Sequence, residues 1–201
     1  MNATAPVLPA VGTAIEGGFF VCVINIAGEH YGLVVAPKDG GEHAPATWNK
    51  SAKALAGARS YCDGHANTEA MAKAGSALAA WARGLELDGF TDWYLPSRDE
   101  LELCYRHLKP GSEKNYQFRS GDNPSSVPTG YPYTDTNPPQ TSVANFQDDG
   151  PDAFAADWYW SSTQVAGDEQ SAWCQYFGYG NQIHLHKSLE LRARAVRRYK
   201  L

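Results

Sequence analysis

The stretch that most constrains the fold is Asp157-Trp-Tyr-Trp-Ser-Ser-Thr163, which carries no glycine or proline. On a strand, Trp158 and Trp160 point to one face while Tyr159 and Ser161 point to the other. Aromatic side chains suit a pleated, half-buried surface. The same vocabulary returns upstream in Asp92-Trp-Tyr-Leu-Pro-Ser97 and downstream in Ala172-Trp-Cys-Gln-Tyr-Phe-Gly178. These three segments are expected at the centre of one sheet, with the rest of the chain packed on it or looped around it.

The chain upstream alternates strand and helix signals. Phe19 to Ile26 and Tyr31 to Ala36 read as a hairpin across Ala27-Gly-Glu-His30. Pro37 to Pro45 reads as a loop. Thr47 or Asn49 can cap a short helix through Cys62, with Leu55, Ala58 and Cys62 on one face. A second helix is expected from about Thr68 to Arg83, because Met71, Ala74, Leu78, Trp81 and Leu85 keep helical spacing. Trp93 to Leu95 is a short strand. Ser97 and Glu100 then form a capping box that opens a helix ended by Pro110-Gly111. That helix puts Leu101, Cys104, Tyr105 and Leu108 inward and Glu100, Glu102 and Arg106 outward.

Residues 111–156 are rich in Gly, Pro, Ser, Asn, Asp and Thr, yet carry Tyr116, Phe118, Tyr131, Tyr133 and Phe146. A loop this long is uncommon in a compact domain unless it is functional. Its aromatics argue that it packs down, since disordered segments are poor in them. The final third is all strand. Residues 172–178 pair with 182–186 across Tyr179-Gly-Asn181. Leu191 to Arg198 closes the chain, with Leu191, Ala193 and Ala195 alternating with Arg192, Arg194 and Arg198. One domain over residues 17–201 follows an extended arm, 1–16.

Composition excludes several classes. With 43% hydrophobic and 19% charged residues, a chain of 201 residues is globular. A net charge of −5 argues against nucleic-acid binding. No apolar run approaches the ~18 residues of a membrane helix, so no membrane insertion is expected. Met1 to Gly12 lack the basic start of a secretory signal. The four cysteines, Cys22, Cys62, Cys104 and Cys174, are far apart. Two disulfides with three possible pairings are open, but buried free thiols are the favoured state without a signal.

No catalytic motif is present, and neither a metal nor a cofactor is assigned. His184 and His186 share a strand face but lack a third ligand. Asp148, Asp149, Asp152 and Asp157 match no calcium loop and read as a solvated acidic stretch. Cys174 reads as a buried thiol. What remains is aromatic surface beside the long loop. Tyr159, Trp173, Tyr176, Tyr179, Asn181 and His184 are the candidate ligand-binding residues, because rings with a polar handle bury much area at small entropic cost. At least half of the rings in these strands belong to the core, since alternation exposes only one face. Ser161 to Thr163 are assigned to folding, their hydroxyls satisfying backbone groups at a buried strand end. The closing arginines are assigned to internal hydrogen bonds and solvation.

Asp92-Trp-Tyr-Leu-Pro-Ser-Arg-Asp-Glu-Leu101 resembles the WRLP-t-x-x-EL signature of the Legionella collagen-like protein C-terminal domain family. Tyr159-Trp-Ser-Ser-Thr163 resembles its YWSST motif. Ala172-Trp173 with Phe177, Lys187 and Arg194-Ala-Val-Arg197 resembles its closing pattern. The resemblance runs from about Gly17 to Arg198, and the longer form here is similar to phage and prophage versions. It implies an α+β, C-type-lectin-like fold with paired N- and C-terminal strands, two to three flanking helices and a long loop. No Glu-Pro-Asn or Gln-Pro-Asp loop of calcium-dependent lectins is present. The expected function is a non-enzymatic, adhesin-type module of a phage tail or tail fibre. It would recognise a host cell-surface glycan or protein and contact other virion proteins as a homo-oligomer, with a trimer favoured. It would reside in the virion if phage-encoded and in the cytoplasm otherwise. The alternatives are a structural virion or scaffold protein binding only proteins, or a hypervariable display protein of a diversity-generating retroelement.

Overall fold

The computed structural model describes residues 7–117 and 121–201. Phe118, one of the loop aromatics, and residues 1–6 of the arm lie outside them. The architecture is α+β, with two five-stranded sheets, a C-type-lectin-like arrangement.

The first sheet has the order β1 (Ala14–Ile15), β2 (Gly18–Ile26), β3 (Glu29–Val35), β10 (Val196–Lys200), with β5 (Ser126–Val127) also on β2. The β2–β3 hairpin forms as expected, but with a two-residue turn, because Glu29 and His30 pair with Ile26 and Asn25 rather than lying in the connection. Its turn puts Ala27 and Gly28 at φ 53° and 89°, the left-handed backbone that a two-residue hairpin demands. The paired terminal strands are β3 and β10, antiparallel from Val35↔Val196 to Tyr31↔Lys200. Part of the expected arm lies against this sheet. Gly12 N–H donates to Phe20 O at 2.8 Å, Phe20 N–H donates to Thr13 O at 2.9 Å, and β1 pairs with β2.

The second sheet has the order β4 (Glu42–Thr47), β9 (Glu190–Arg194), β6 (Trp158–Gln164), β7 (Ser171–Tyr176), β8 (Gln182–His186). Both faces of β6 are buried. Tyr159 enters a core formed with β2, β3 and the helix α4 (Arg98–Leu108). Trp160 enters a second core with Trp48, Met71, Leu78 and Cys174. The 92–97 segment is a strand of neither sheet, and its backbone pairs with the first one by a bridge at Tyr94↔Val196. β4, read as loop, is an edge strand, the position where Pro45 costs no ladder bond.

Three helical expectations change. Residues 48–62 form no helix, because partners elsewhere capture their backbone groups. Leu55 N–H donates to Gln164 Oε1 at 2.7 Å, Ser60 N–H to Asn67 Oδ1 at 3.0 Å, and Ala58 O accepts from Gln164 N–H at 2.6 Å. The stripe from Met71 to Trp81 belongs to two helices, α2 (Gly64–Lys73) and α3 (Ala77–Arg83). Gly75 breaks them at φ +82°, and Ser76 caps the second. The capping box of α4 is formed as read, but Glu100, Glu102 and Arg106 are buried rather than outward. The 111–156 loop covers Glu102 and Arg106, with Tyr133 Oη donating to Glu102 Oε1 at 2.6 Å and Arg106 Nη2 donating to Tyr131 O at 3.0 Å, while Glu100 is enclosed by Gly64 and Tyr94.

The closing strand breaks at Ala195 into β9 and β10, which join different sheets. Arg194 therefore points into the core, donating to Ala36 O at 2.8 Å and pairing with Glu42 at 2.9 Å. Arg197 pairs with Asp92 and Glu16, and Arg198 with Asp63. Among the described residues all four cysteines are free, three buried and Cys62 partly so. No helix among them is long and apolar enough to cross a membrane.

Lys187 is wholly buried, with Nζ donating to Lys53 O at 3.1 Å and to Gln164 Oε1 at 2.7 Å. Burial lowers its pKa from 10.5 to about 8. Between those values the unfolded chain holds the proton that the folded chain has released, so this group's contribution to stability rises with pH. Relative to Lys187→Met, the wild type should gain about 1–3 kcal/mol between pH 7 and pH 9.5. Urea unfolding across that range checks it, and parallel curves for the two proteins would refute it.

Thr163 Oγ1 donates to Ser60 O at 2.8 Å and accepts from Arg98 N–H at 3.0 Å. Thr163→Val should cost about 1–3 kcal/mol by leaving these buried groups unpaired, while Thr163→Ser should cost about 1 kcal/mol or less. Equal losses in both variants would show that the hydroxyl is not the anchor.

Candidate functional site

The β7–β8 hairpin and the start of α4 build a cleft of about 470 Å³. Strand alternation sets its floor: Trp173 and His184 are register partners on one face, with ring centroids 5.7 Å apart. The hairpin tip is tightly specified. Gly180 has φ +79°, and a Cβ there would strike the Tyr105 ring. Tyr176 N–H donates to Asn181 O at 2.8 Å, and Gly180 N–H donates to Tyr176 O at 2.8 Å.

Gln182 ties this hairpin to the helix. Its Nε2 donates to Arg98 O at 3.0 Å and to Gln175 Oε1 at 2.9 Å. The Arg98 guanidinium lies 3.9 Å above the Tyr61 ring and 5.4 Å from that of Trp173. Its charge is met by Asp99, which accepts from Nε at 3.0 Å and from Nη2 at 2.8 Å. The long loop supplies the opposite wall through Tyr116 and Asp122. Tyr116 N–H donates to Tyr179 O at 2.8 Å, which fixes the loop to the hairpin tip.

Two polar atoms of cleft residues are left over. Trp173 Nε1 and Asn181 Oδ1 are shielded and find no hydrogen-bond partner among the described residues. A buried unpaired group costs about 1–3 kcal/mol, so a donor and an acceptor left open in residues of one cleft call for an explanation. From the cleft rim a run of rings continues outward. Tyr116 and Tyr179 have centroids 6.2 Å apart, Tyr179 and Tyr176 4.6 Å, and Tyr176 and Trp158 5.2 Å.

Of the residues named from the sequence, Trp173, Asn181 and His184 line the cleft, and Tyr176 and Tyr179 stand beside it. Tyr159 does not belong. Its ring is fully buried against Phe154 and Phe177, and its hydroxyl donates to Glu42 Oε2 at 3.0 Å while accepting from Ala155 N–H at 2.9 Å. Alternation from Trp158 places it on the inner face, and that face is covered by the loop. Arg98, Asp122, Gln182 and Ile183 were missed. Only the third dimension joins a helix's first residue to a hairpin that begins at Ser171, so no local signal could have marked Arg98.

Cys174, His186 and the acidic stretch each meet other groups. The Cys174 thiol is buried, which pushes its pKa up, and it sits 3.5 Å from Ile183 O. His186 Nδ1 lies 2.7 Å from Ser188 Oγ. The aspartates of the acidic stretch part company, Asp157 to Arg192 at 3.0 Å and Asp152 toward Arg194 at 3.8 Å. Among the described residues no group of three or more His, Cys, Asp or Glu could hold a metal ion.

None of the curated proteins matches the chain. The family model of the Lcl C-terminal domain matches residues 42–197, from the start of β4 into β10, and so leaves the β2–β3 hairpin outside. The matched region holds the capping box, the buried hydroxyl segment, the cleft and the inward-turned arginines. The chain belongs to the Lcl C-terminal domain family.

Proposed function

We propose that this chain is a non-enzymatic, adhesin-type ligand-binding domain and that the cleft at the β7–β8 hairpin is its contact face. The observation that carries this reading is the aromatic cleft, where the Trp173, His184 and Tyr116 rings meet the polar side chains of Arg98, Asp122 and Gln182. Ring faces beside a few polar groups suit a ligand that presents both apolar and hydrogen-bonding surface. The partner is a host cell-surface glycan or protein, and the chain acts as an oligomer, favoured as a trimer, in a phage tail or tail fibre. Membership of the Lcl C-terminal domain family supports the adhesin-type role. The virion setting rests on the longer sequence form.

The test is binding of the purified protein to a glycan array and to whole bacterial cells, beside Trp173→Ala. Saturable binding is expected, with a loss of at least about tenfold in the variant at unchanged fold. Undiminished binding by a folded Trp173→Ala protein would displace the contact face. Clean assembly with tail proteins and no binding to cells or glycans would favour the structural alternative.

The unpaired amide makes a second prediction. Asn181→Ala should leave the unfolding free energy from urea titration unchanged or raise it by up to about 1 kcal/mol, while weakening ligand binding. A clear loss of stability would show that the amide oxygen has a structural partner.

A further inference from the structure

We propose that β8 is an acceptor edge: a partner protein adds an extended segment along Gln182 to His186, its main chain bonding to the strand and its alternate side chains entering the cleft. This rests on the reading of the cleft as the contact face, and it names a protein main chain as what that face takes.

The first argument is the ladder. Among the described residues β8 ends the second sheet, with β7 on one side and no strand on the other. Tyr176 N–H donates to Asn181 O and Lys187 N–H donates to Gln170 O, both at 2.8 Å. In the same register Cys174 faces Ile183 and Ala172 faces Leu185. Antiparallel pairs alternate between bonded and unbonded, so the backbone of Ile183 and Leu185 bonds to β7, while that of Gln182, His184 and His186 turns to the open side. His186 O is taken by Leu189 N–H at 3.0 Å. The N–H and C=O of Gln182 and His184, and the N–H of His186, meet no backbone partner among the described residues.

The second argument is protection. Open edges invite stray pairing, and proteins blunt them with short strands, proline, bulges or charge. The other sheet edges among the described residues carry such devices. β1 and β5 are two residues long, β4 holds Pro45 and a register shift between His43 and Ala46, and β10 carries Arg198 and Lys200. β8, Gln-Ile-His-Leu-His, has no proline, no lysine or arginine and no break in its register. An edge left unguarded where its neighbours are guarded is an edge that pairs with something.

The third argument selects the occupant. Asn181 to His184 line the cleft from one side, and Tyr116 and Asp122 of the long loop line it from the other. A single extended segment enters a gap bounded in this way, whereas the sheet edge of a second copy brings a whole domain against the loop. The side chains of an added strand alternate. One set falls beside Trp173 and His184, in the cleft, and the other beside Ile183 and Leu185, which are half-buried on the second core. Apolar β-branched residues at every second position suit that second face. The edge is already fixed by the Gln182 bonds to Arg98 O and Gln175 Oε1, so pairing orders little besides the incoming segment. Main-chain bonds then supply affinity and the alternate side chains specificity.

The test uses the full chain, whole bacterial cells and a probe peptide of three Thr-Val repeats with a lysine at each end. The peptide should slow amide exchange at Gln182 and His184 at least about tenfold, while Ile183 and Leu185 are protected with and without it. N-methylation of one alternate set of the peptide's nitrogens should weaken binding at least about tenfold, and of the other set should leave it unchanged. His184→Pro removes an outward N–H and keeps the ladder to β7, as an edge strand allows. It should lower peptide and cell binding at least about tenfold, whereas His184→Ala, which keeps the N–H, should change them less than about threefold. Equal losses in the two variants, or from the two methylated sets, would overturn strand addition, and the methylated peptides decide if His184→Pro does not fold. Unslowed exchange at Gln182 and His184 would overturn it as well. Cell binding kept by a folded His184→Pro protein but lost in Trp173→Ala would overturn the edge and keep the cleft. Cell binding kept by both would overturn edge and cleft together. Cell binding that survives protease but not periodate would replace the peptide by a sugar.

Discussion

The structure depends on a buried bulge in β6. Between Trp160 and Gln164 the strand leaves its register with β7, and Ser161, Ser162 and Thr163 sit at 0% exposure with their polar groups facing inward. Such a bulge is stable only if every group finds a partner, since each orphan costs about 1–3 kcal/mol. The partners come from three separate parts of the chain. Ser162 N–H and Oγ–H both donate to Pro96 O, at 2.7 and 3.1 Å. Trp48 Nε1 donates to Ser161 O at 2.7 Å. Ser161 Oγ donates to Trp173 O at 2.9 Å. The irregular 48–62 segment, the entry to α4 and the floor of the cleft are thereby held at one point.

The capping box extends the same logic. Glu100 accepts from Ser97 N–H at 2.7 Å, from Gly64 N–H at 3.1 Å and from Tyr94 Oη at 2.7 Å. One carboxylate thus serves the first turns of both α4 and α2, where backbone dipoles favour an anion. Burial still pushes its pKa up. Gly64 is required beside it, because a Cβ would collide with the carboxylate. Glu102 plays the matching part on the other side, gathering Arg106 at 2.9 Å, Tyr133 and Asn123 and so binding the long loop to the helix. A buried pair of this kind stabilises little against an apolar replacement, but losing one partner is expensive, which makes it a device for fixing where the loop lies.

These features explain what could be read from the chain. Strong local rules survived: the Ser97–Glu100 box, the β2–β3 and β7–β8 hairpins, and the burial of the hydroxyl run. What failed was governed by distant partners. Residues 48–62 carry helical spacing, yet Gln164 and Asn67 take their amides. The helical wheel of α4 placed Glu100, Glu102 and Arg106 correctly relative to Leu101 and Leu108, but it could not say that the start of α2 would close over Glu100 and the long loop over Glu102 and Arg106. Arg194 alternates properly with Ala193 and Ala195, yet the break at Ala195 turns it inward to Glu42. Periodicity gives the face of an element; what covers the face is a tertiary fact. The candidate site divides the same way. Trp173, Tyr176, Tyr179, Asn181 and His184 fall together because they share one hairpin, whereas Arg98 and Asp122 arrive through the bulge and the loop.

The loop that supplies one wall of the cleft is itself held. Asn115 is nearly buried. Its side chain accepts from Tyr105 Oη at 2.7 Å and donates to Thr134 O at 3.0 Å and Pro138 O at 2.9 Å. The next residue is Tyr116, whose amide bonds to the hairpin tip. Tyr105, in turn, fills the space that a side chain at Gly180 would need. Helix, loop and hairpin therefore set one another's positions through a single tyrosine. A wall built this way is preorganised, so a ligand at the proposed contact face would meet little opposing ordering entropy.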